Sequence, residues 1–363
     1  MRLDASALMV GCFCGFPMAP RIHFNGPARY WLRSVVEFSR SVLEVCVRRV
    51  LKGRRRPGWT WFMEAATQVL KRRMITVLEA ANVDDARRHL DSVLISLPEM
   101  EEVDVTQVAH EKFRGSWFTS KRADASATVL YFHGGGYSFY PQTYANFIAL
   151  ISLATKSRTF ALDYSLAPEH RFPAQLEEAL NAYRWLLEGG TDPNDLVLAG
   201  DSAGANLTLA LQLAARDLKL PLPALAIALS PPTDFETECA SLVTNQDCDW
   251  IEKQMLVRWA DWFCDSDQRR NPLVSPRWAD LRGLPPIYIQ AGRAEILYDS
   301  IQAFADRAQS EGADVVLESW EDMNHIFQIF GRHVSQSAQA LQRLGEVIDA
   351  RVRERKERKI VSI

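Results

Sequence analysis

A serine between two glycines is the residue of this chain best placed for chemistry. The sequence GDSAG at 200–204 follows the apolar run at 196–199 and precedes a helical stretch at 205–211. A sharp strand-to-helix turn leaves little room for a Cβ beside its central residue, which accounts for the glycines. Such a turn exposes the hydroxyl of Ser202 and aims the first N–H groups of the helix at the atom under attack. The pattern predicts a nucleophile; an ordinary turn is the alternative.

A glycine-rich loop after a second apolar run supplies another motif. The sequence HGGG at 133–136 follows TVLYF at 128–132, which has the pattern of a buried strand. Consecutive glycines let backbone N–H groups turn towards a ligand. We therefore expect Gly134 and Gly135, together with Ala203, to form an oxyanion hole. A phosphate-binding loop is the alternative, but it would end in Gly-Lys-Ser or Gly-Lys-Thr, and this segment does not.

A serine nucleophile needs a histidine base, and the base needs an acid to orient it. After a serine elbow, the acid precedes the histidine in the chain. Of the seven histidines, only His325 and His333 follow Ser202. His325 comes just after the last predicted strand, where a loop can reach the serine, whereas His333 begins the final helix. We therefore predict His325 as the base.

The acid is expected in the loop at 292–299, after a predicted strand at 287–291. This loop contains Glu295 and Asp299. Glu295 leaves the strand early enough for its carboxylate to face the edge of the sheet. Asp299 stands where the next helix should begin, so a role as helix N-cap accounts for it without catalysis. Glu295 is therefore the predicted acid.

The elements that must position these residues alternate between strand-like and helix-like runs from about residue 103. This alternation is typical of an α/β protein with a mostly parallel sheet and helices on both faces. An antiparallel pair is predicted at 103–106 and 111–119. Further strands are predicted at 127–132, 159–163, 195–199, 224–229, 287–291 and 315–320, with helices at 144–155, 174–187, 203–217, 300–311 and 334–353.

Two regions interrupt the alternation and predict a helical cap over the sheet. Residues 28–98 are helical in pattern without a clear strand signal, and 234–275 contain a helix rich in Trp and Phe. The expected organisation is a poorly structured segment at 1–25, an N-terminal helical part of the cap at 26–100 and a catalytic domain at 101–363. The cap insertion in that domain is expected at about 234–275. An independent helical domain at 28–98 is the alternative.

The composition excludes several classes of protein. The chain has 363 residues, 47% hydrophobic and 24% charged, and its formal net charge of −3 indicates no polyanionic partner. The basic run at 48–56 and the basic tail at 351–359 are interpreted as solvated surface. The six cysteines have no C-x-x-C spacing and no histidine partners at metal-ligand intervals, so we expect reduced thiols in a cytoplasm and no metal site.

The N-terminal sequence contains only part of an export signal. Arg2 precedes an apolar run at 7–16, but Asp4 lies in the leading region and no clear cleavage site follows. No apolar stretch reaches the length of about 18 residues that a spanning helix needs. We therefore expect no export and no spanning segment.

These motifs together resemble the hormone-sensitive-lipase-like branch of the α/β-hydrolases. The resemblance covers about 113–330 and rests on HGGG, on YSLAPEHRFPA at 164–174, on GDSAG and on the turn Asn324-His325. It implies an α/β-hydrolase fold with a helical cap, and carboxylic ester hydrolysis without a cofactor. Most relatives carry Asp where this chain has Glu295. The family spacing still aligns Glu295 with the triad acid, and either carboxylate can orient an imidazolium.

The sequence thus predicts a serine carboxylesterase for short- to medium-chain esters, with Ser202, His325 and Glu295 as its triad. Its partner is a small-molecule ester, not nucleic acid, and self-association as a homodimer is left open. Three alternatives remain. An amidase or lactone hydrolase would use the same triad. A non-catalytic receptor on this fold would lose a triad member. A membrane-surface lipase would use the basic run with Trp59, Trp61 and Phe62, which otherwise pack the cap on the core.

Overall fold

A computed structural model of the chain describes residues 20–123, 127–236 and 238–361, with side chains up to residue 352. The strands are β1 Arg21–Phe24, β2 Val93–Ser96, β3 Val103–His110, β4 Phe113–Ser120, β5 Thr128–Phe132, β6 Arg158–Leu162, β7 Leu196–Asp201, β8 Leu225–Leu229, β9 Ile287–Gly292 and β10 Val315–Trp320. The helices are α1 Ala28–Lys52, α2 Trp61–Glu79, α3 Val83–Leu90, α4 Ala145–Thr155, α5 Ala174–Glu188, α6 Ala203–Asp217, α7 Ser241–Thr244, α8 Lys253–Phe263, α9 Tyr298–Ser310 and α10 Ser335–Val361.

An eight-stranded sheet forms the centre of the fold, in the order β10-β9-β8-β7-β5-β6-β4-β3. The pairings β3–β4 and β4–β6 are antiparallel, and the other five are parallel. Strands β7 and β8 are buried along their whole length because helices cover both faces, which is why they read as unbroken apolar runs. The predicted fold class, a mostly parallel α/β-hydrolase sheet, is confirmed.

Local signals set the bounds of the N-terminal helices. Helix α2 begins where the hydroxyl of Thr60 accepts a hydrogen bond from the N–H of Met63 (3.1 Å). Helix α3 begins in the same way at Asn82, whose side chain accepts from the N–H of Asp85. Helix α1 ends at Lys52, and the capping residue Gly53 adopts φ 75°.

The structure differs from the sequence predictions at the start of the described chain. Residues 1–19 of the segment expected to be poorly structured lie outside the described part. Arg21–Phe24, however, forms β1 and pairs with β2 inside the region expected to lack strands. Each strand has four residues, too short for an alternating pattern, and each needs a partner about 70 residues away. The expectation of no strand there is therefore wrong.

The three aromatic residues near the start of α2 do not share one environment. Trp59 is buried, with 1% of its surface exposed, and belongs to a core cluster with Met323 and Phe327. Trp61 and Phe62 are 51% and 46% exposed. Phe62 nevertheless contacts Phe330 and His333 of the catalytic domain (ring centroids 6.3 and 5.1 Å). The interpretation that these residues pack the cap on the core therefore holds for Trp59 and, in part, for Phe62. Within the described ranges, no helix is long and apolar enough to cross a bilayer, and no side-chain cluster suits a metal ion.

Candidate active site

Ser202 lies at the turn between β7 and α6, in a backbone conformation that L-residues rarely adopt. Its φ is 50° and its ψ is −121°. The tight turn is possible because glycines stand two positions before and two positions after Ser202. A Cβ on Gly204 would overlap the carbonyl oxygen of Phe132, and one on Gly200 would overlap the backbone of Gly204. The N–H of Ser202 donates to the carbonyl of Leu229 (2.8 Å), which fixes the turn against β8. The hydroxyl therefore stands at the carboxyl edge of the sheet.

The structure brings together the three residues predicted as a triad. Ser202 Oγ lies 2.9 Å from His325 Nε2, and His325 Nδ1 lies 2.9 Å from Glu295 Oε2. They come from the loops after β7, β10 and β9, so three parallel strands in one half of the sheet deliver them to one edge. His325 and Glu295 are fully buried.

Asp299, the other acidic candidate, lies apart from this chain of hydrogen bonds. Its Oδ2 accepts from the N–H of Ser241 (2.8 Å), at the start of α7 in the cap insertion. Helix α9 begins at Tyr298 with Leu297 in the capping position. Asp299 is thus in the first turn, and the prediction that it caps its own helix is wrong, because the helix begins at Tyr298, two residues earlier than predicted.

The carboxyl group of Glu295 is held from several sides. Its Oε1 accepts from the N–H of Gly292 (2.9 Å), and Ser230 also hydrogen-bonds to it. Burial raises the pKa of the Glu295 carboxyl, and these hydrogen bonds oppose the rise. Gly292 also lets the acid loop approach the base loop, since a Cβ there would overlap the carbonyl of Met323.

Burial has the opposite effect on the base. It lowers the pKa of His325 to about 4, because desolvation penalises the imidazolium, and the carboxylates of Asp249 and Asp201 oppose this. The imidazole is therefore neutral near pH 7. With Nδ1–H directed at Glu295, the free lone pair is on Nε2, which faces the serine hydroxyl.

The glycine-rich loop differs from its prediction at one position. The N–H of Gly134 donates to Tyr144 Oη (3.0 Å) and to Asp201 Oδ1 (3.1 Å). Asp201 is buried and also accepts from Tyr131 Oη (2.6 Å) and from Tyr144. The N–H of Gly134 is thus used inside the protein, and its assignment as an oxyanion donor is wrong.

Three other backbone N–H groups of the glycine-rich loop and the serine turn are left without an acceptor in the described part of the chain. In the hydrogen-bond network of the described residues, the N–H groups of Gly135, Gly136 and Ala203 have no protein acceptor. Gly135 and Gly136 have φ of 103° and 59°, and Gly136, Ala203 and Ser202 line one cavity. Gly136 was missed by the sequence reasoning, although the third glycine of HGGG was a visible signal.

The cap insertion forms the wall opposite the serine. Helix α8 places Trp259 against Gly136, so closely that a Cβ on Gly136 would contact the indole ring. Trp259, Leu256 and Leu297 line the cavity beside Ser202. Its volume is about 20 Å³, which is room for roughly one water molecule. The site is therefore narrow and apolar.

A second residue of the insertion, Asp249, was not found from the sequence. It is fully buried. Its Oδ1 accepts from the N–H of His325 (3.2 Å), and its Oδ2 accepts from the N–H of Ile296 (2.8 Å). The neighbouring Trp250 donates Nε1–H to the carbonyl of His325 (2.6 Å). No motif surrounds Asp249, so only the folded structure reveals these contacts.

The N-terminal helices support the base loop from the other side. Asp322 Oδ2 accepts from the N–H of Gly58 (2.7 Å), and its carbonyl accepts from the indole N–H of Trp59. The side-chain amide of Asn324 donates to Thr67 Oγ1 (2.8 Å). Residues 58–67 thus contact the segment that immediately precedes His325.

Comparisons with known proteins agree with this architecture. The α/β-hydrolase fold family matches residues 129–329, more than half of the chain. An acetyl-hydrolase of Streptomyces hygroscopicus is 37% identical over 67% of this chain and 81% of its own length. An esterase of Acinetobacter venetianus RAG-1 is 30% identical over 80% of this chain and 96% of its own.

Comparison with solved structures indicates the same fold and the same family. A crystal structure of an esterase from the bacterial hormone-sensitive lipase family has a TM-score of 0.71 at 35% identity, covering 78% of this chain and 98% of that one. A hormone-sensitive lipase from a metagenome library has a TM-score of 0.72 at 32% identity, covering 80% and 99%. With its serine elbow, glycine-rich loop and capped parallel sheet, the chain belongs to the hormone-sensitive-lipase-like carboxylic ester hydrolases of the α/β-hydrolase fold.

Proposed function

We propose that this protein hydrolyses short-chain carboxylic esters with Ser202 as nucleophile, His325 as general base and Glu295 as the orienting acid. The observation that carries the proposal is the unbroken chain of two 2.9 Å contacts from the serine hydroxyl through the imidazole to the carboxylate. Nucleophile, base and orienting group in hydrogen-bond contact are the arrangement that nucleophilic catalysis requires.

The geometry supports the usual two-step acyl transfer. His325 Nε2 takes the proton as Ser202 Oγ attacks the ester carbonyl, and Glu295 stabilises the imidazolium that forms. The N–H groups of Gly135, Gly136 and Ala203 hold the oxyanion. His325 then protonates the leaving alcohol, and a water molecule repeats the sequence on the acyl-enzyme. The neutral state of His325 near pH 7 suits its role as base.

The narrow cavity supports a preference for small acyl groups. Trp259, Leu256 and Leu297 restrict the space beside the serine, so we propose acyl chains of about two to eight carbons. The relative from Streptomyces hygroscopicus is named as an acetyl-hydrolase, which agrees with the short end of this range. Hydrolysis rates for a series of p-nitrophenyl esters test it, and faster turnover of long-chain triglyceride emulsions than of short esters would contradict it.

The nucleophile is tested by Ser202→Ala. We expect the variant to fold and to lose ester hydrolysis, and we expect a fluorophosphonate probe to label the wild-type protein at Ser202 alone. Full activity in the variant, or labelling elsewhere, would refute the proposal. Matched amides and lactones measured beside the esters separate esterase activity from the related hydrolases, and absence of labelling would favour a non-catalytic receptor.

A further inference from the structure

Helix α1 turns its polar side towards the protein and its apolar side towards solvent. Its buried positions are mostly polar: Tyr30, Ser34, Glu37, Ser41, Val45 and Arg49. Its exposed positions carry large apolar side chains, namely Leu32, Val35, Val36, Phe38, Leu43, Val47, Val50 and Leu51. Leu43 is 65% exposed and Val50 is 81% exposed. A surface helix of a globular protein has the reverse arrangement.

Specific partners hold the polar inner face in place. Glu37 accepts from Thr76 Oγ1 (2.5 Å) and contacts His89 Nε2 (3.1 Å). Arg49 Nε donates to Glu64 Oε2 (2.7 Å). Rotating the helix to bury its apolar side would separate these charged groups from their partners. The free-energy cost would be large, because breaking buried ion pairs is strongly destabilising. The outward direction of the apolar side is therefore specified by the sequence.

Five of the eight exposed apolar residues form one strip. Leu32, Val36, Leu43, Val47 and Val50 fall within about 60° of the helix circumference, at 3.6 residues per turn. From Leu32 to Val50 the strip runs for roughly 27 Å, at 1.5 Å per residue. A row of apolar side chains of this length differs from the single scattered apolar residues of an ordinary surface, which indicates a contact surface.

The charges beside the strip identify the partner. Arg29 and Arg40 flank it, and Lys52 and Arg54 are exposed at its C-terminal end. The one exposed acidic residue of α1, Glu44, is paired with Arg72 (2.6 Å). Two copies packed strip to strip would bring like charges together, whereas an anionic surface complements them. A helix with an apolar face and basic flanks is suited to lie in a membrane interface.

We propose that the outer face of α1 binds an anionic phospholipid surface, with the helix axis in the plane of the interface. Leu43, Val47 and Val50 enter the boundary between headgroups and acyl chains, and Arg40 and Lys52 contact lipid phosphates. This surface is separate from the ester site and does not depend on the proposed mechanism. It gives Lys52 and Arg54, the exposed cations of the basic run at 48–56, a partner that the composition alone did not indicate.

Sedimentation with vesicles tests this binding in the full-length protein. We expect the wild type to bind phosphatidylcholine–phosphatidylglycerol vesicles and to bind phosphatidylcholine vesicles weakly. L43Q/V47Q/V50Q should lower binding about 100-fold, because three largely exposed apolar side chains lose their burial in lipid. R40Q/K52Q should lower binding to the anionic vesicles and weaken its salt dependence. V105Q/V316Q, at exposed strand positions, is the matched control and should bind like the wild type.

Two other occupants of the strip are outcomes that overturn the proposal. If the wild type is a dimer by light scattering, fails to bind anionic vesicles, and becomes monomeric in L43Q/V47Q/V50Q, the strip is an interface between copies. If only a variant lacking residues 1–19 binds the vesicles, that segment covers the strip. Hydrolysis of a soluble short ester should be equal in all the α1 variants, which separates membrane binding from a general loss of folding.

A different observation carries a second inference, which rests on the proposed triad. Asp249 accepts the N–H of His325 and the N–H of Ile296, the residue after Glu295. Asn245 donates its side-chain amide to the carbonyls of Arg293 and Glu295 (both 3.0 Å). We infer that Asp249 is a positioning residue that holds the acid loop and the base loop in register from the cap insertion. Oδ1 of Asp249 holds the base loop, and Oδ2 holds the acid loop.

Asp249→Asn tests this inference, with Asp247→Asn as its matched control on the exposed side of the same turn. The amide places an NH₂ group against one of the two N–H donors, so one loop loses its acceptor. We expect kcat to fall about 10- to 100-fold with KM changed less than about threefold, because the substrate wall stays in place. The control should keep both values.

The outcomes distinguish this inference from the proposed function. If Ser202→Ala is inactive and Asp249→Asn keeps the kcat of the Asp247→Asn control, the positioning role is refuted. A change confined to KM refutes it as well, since misaligned loops lower turnover. If Ser202→Ala remains active, the proposed triad itself has failed.

Discussion

Replacing Glu295 by Gln should separate the triad acid from its neighbour Asp299. In the wild type, Oε2 of Glu295 faces His325 Nδ1, and Oε1 accepts from the N–H of Gly292. Gln has only one oxygen for these two positions. If that oxygen stays with Gly292, the NH₂ group faces Nδ1 and selects the tautomer with a proton on Nε2, which cannot accept a proton from the serine.

The other orientation of Gln is also unfavourable. It restores the acceptor for Nδ1–H but places NH₂ against the N–H of Gly292, which costs about 1–3 kcal/mol in a buried site. In both orientations of the Gln side chain, the negative charge that stabilises the imidazolium is lost. The comparable amide substitution in a serine protease lowers turnover about 10⁴-fold, so we expect kcat to fall about 10²–10⁴-fold, or about 3–5.5 kcal/mol.

The assay is steady-state hydrolysis of p-nitrophenyl acetate, with thermal melting as the test of folding. Asp299→Asn is the matched control, because an amide oxygen still accepts from the N–H of Ser241, and we expect it to keep most of the activity. Glu295→Asp should recover only part of the rate, since the shorter side chain does not span the same gap. Greater damage from Asp299→Asn than from Glu295→Gln would refute the assignment of the acid.

The remaining predictions concern the base, the glycine loop and the N-terminal region. Because protonation of His325 removes the base, kcat/KM should fall as the pH drops towards about 4, which a pH–rate profile measures. Gly136→Ala should lose most activity, since φ is 59° and a Cβ has no space, and a melting curve separates this from unfolding. Deleting residues 1–20 should leave ester hydrolysis nearly intact, whereas deleting 1–75 should abolish it or cause aggregation by removing the contacts to Asp322. Wild-type activity and solubility after the longer deletion would contradict that expectation.

Features that depend on neighbours in the chain could be predicted from the sequence. The turn at Ser202 follows from glycines on either side and from the apolar run before it. The order of strands and the late position of His325 follow from alternation and spacing, because parallel strands deliver their following loops to one edge. These predictions required no knowledge of which distant residues meet.

Features that depend on distant partners needed the tertiary structure. Which glycine N–H in the described part of the chain is left without an acceptor was decided by Asp201, which lies 67 residues from Gly134 and accepts from its N–H. Asp249 contacts His325 across 76 residues, and nothing near it in sequence marks it. Helix α1 has an apolar periodicity that predicts a helix correctly, but the buried partners of Glu37 decide that its apolar side faces outward. Local sequence determines the backbone conformation and which functional groups are present. Which groups form hydrogen bonds with one another is determined only when distant parts of the chain pack together.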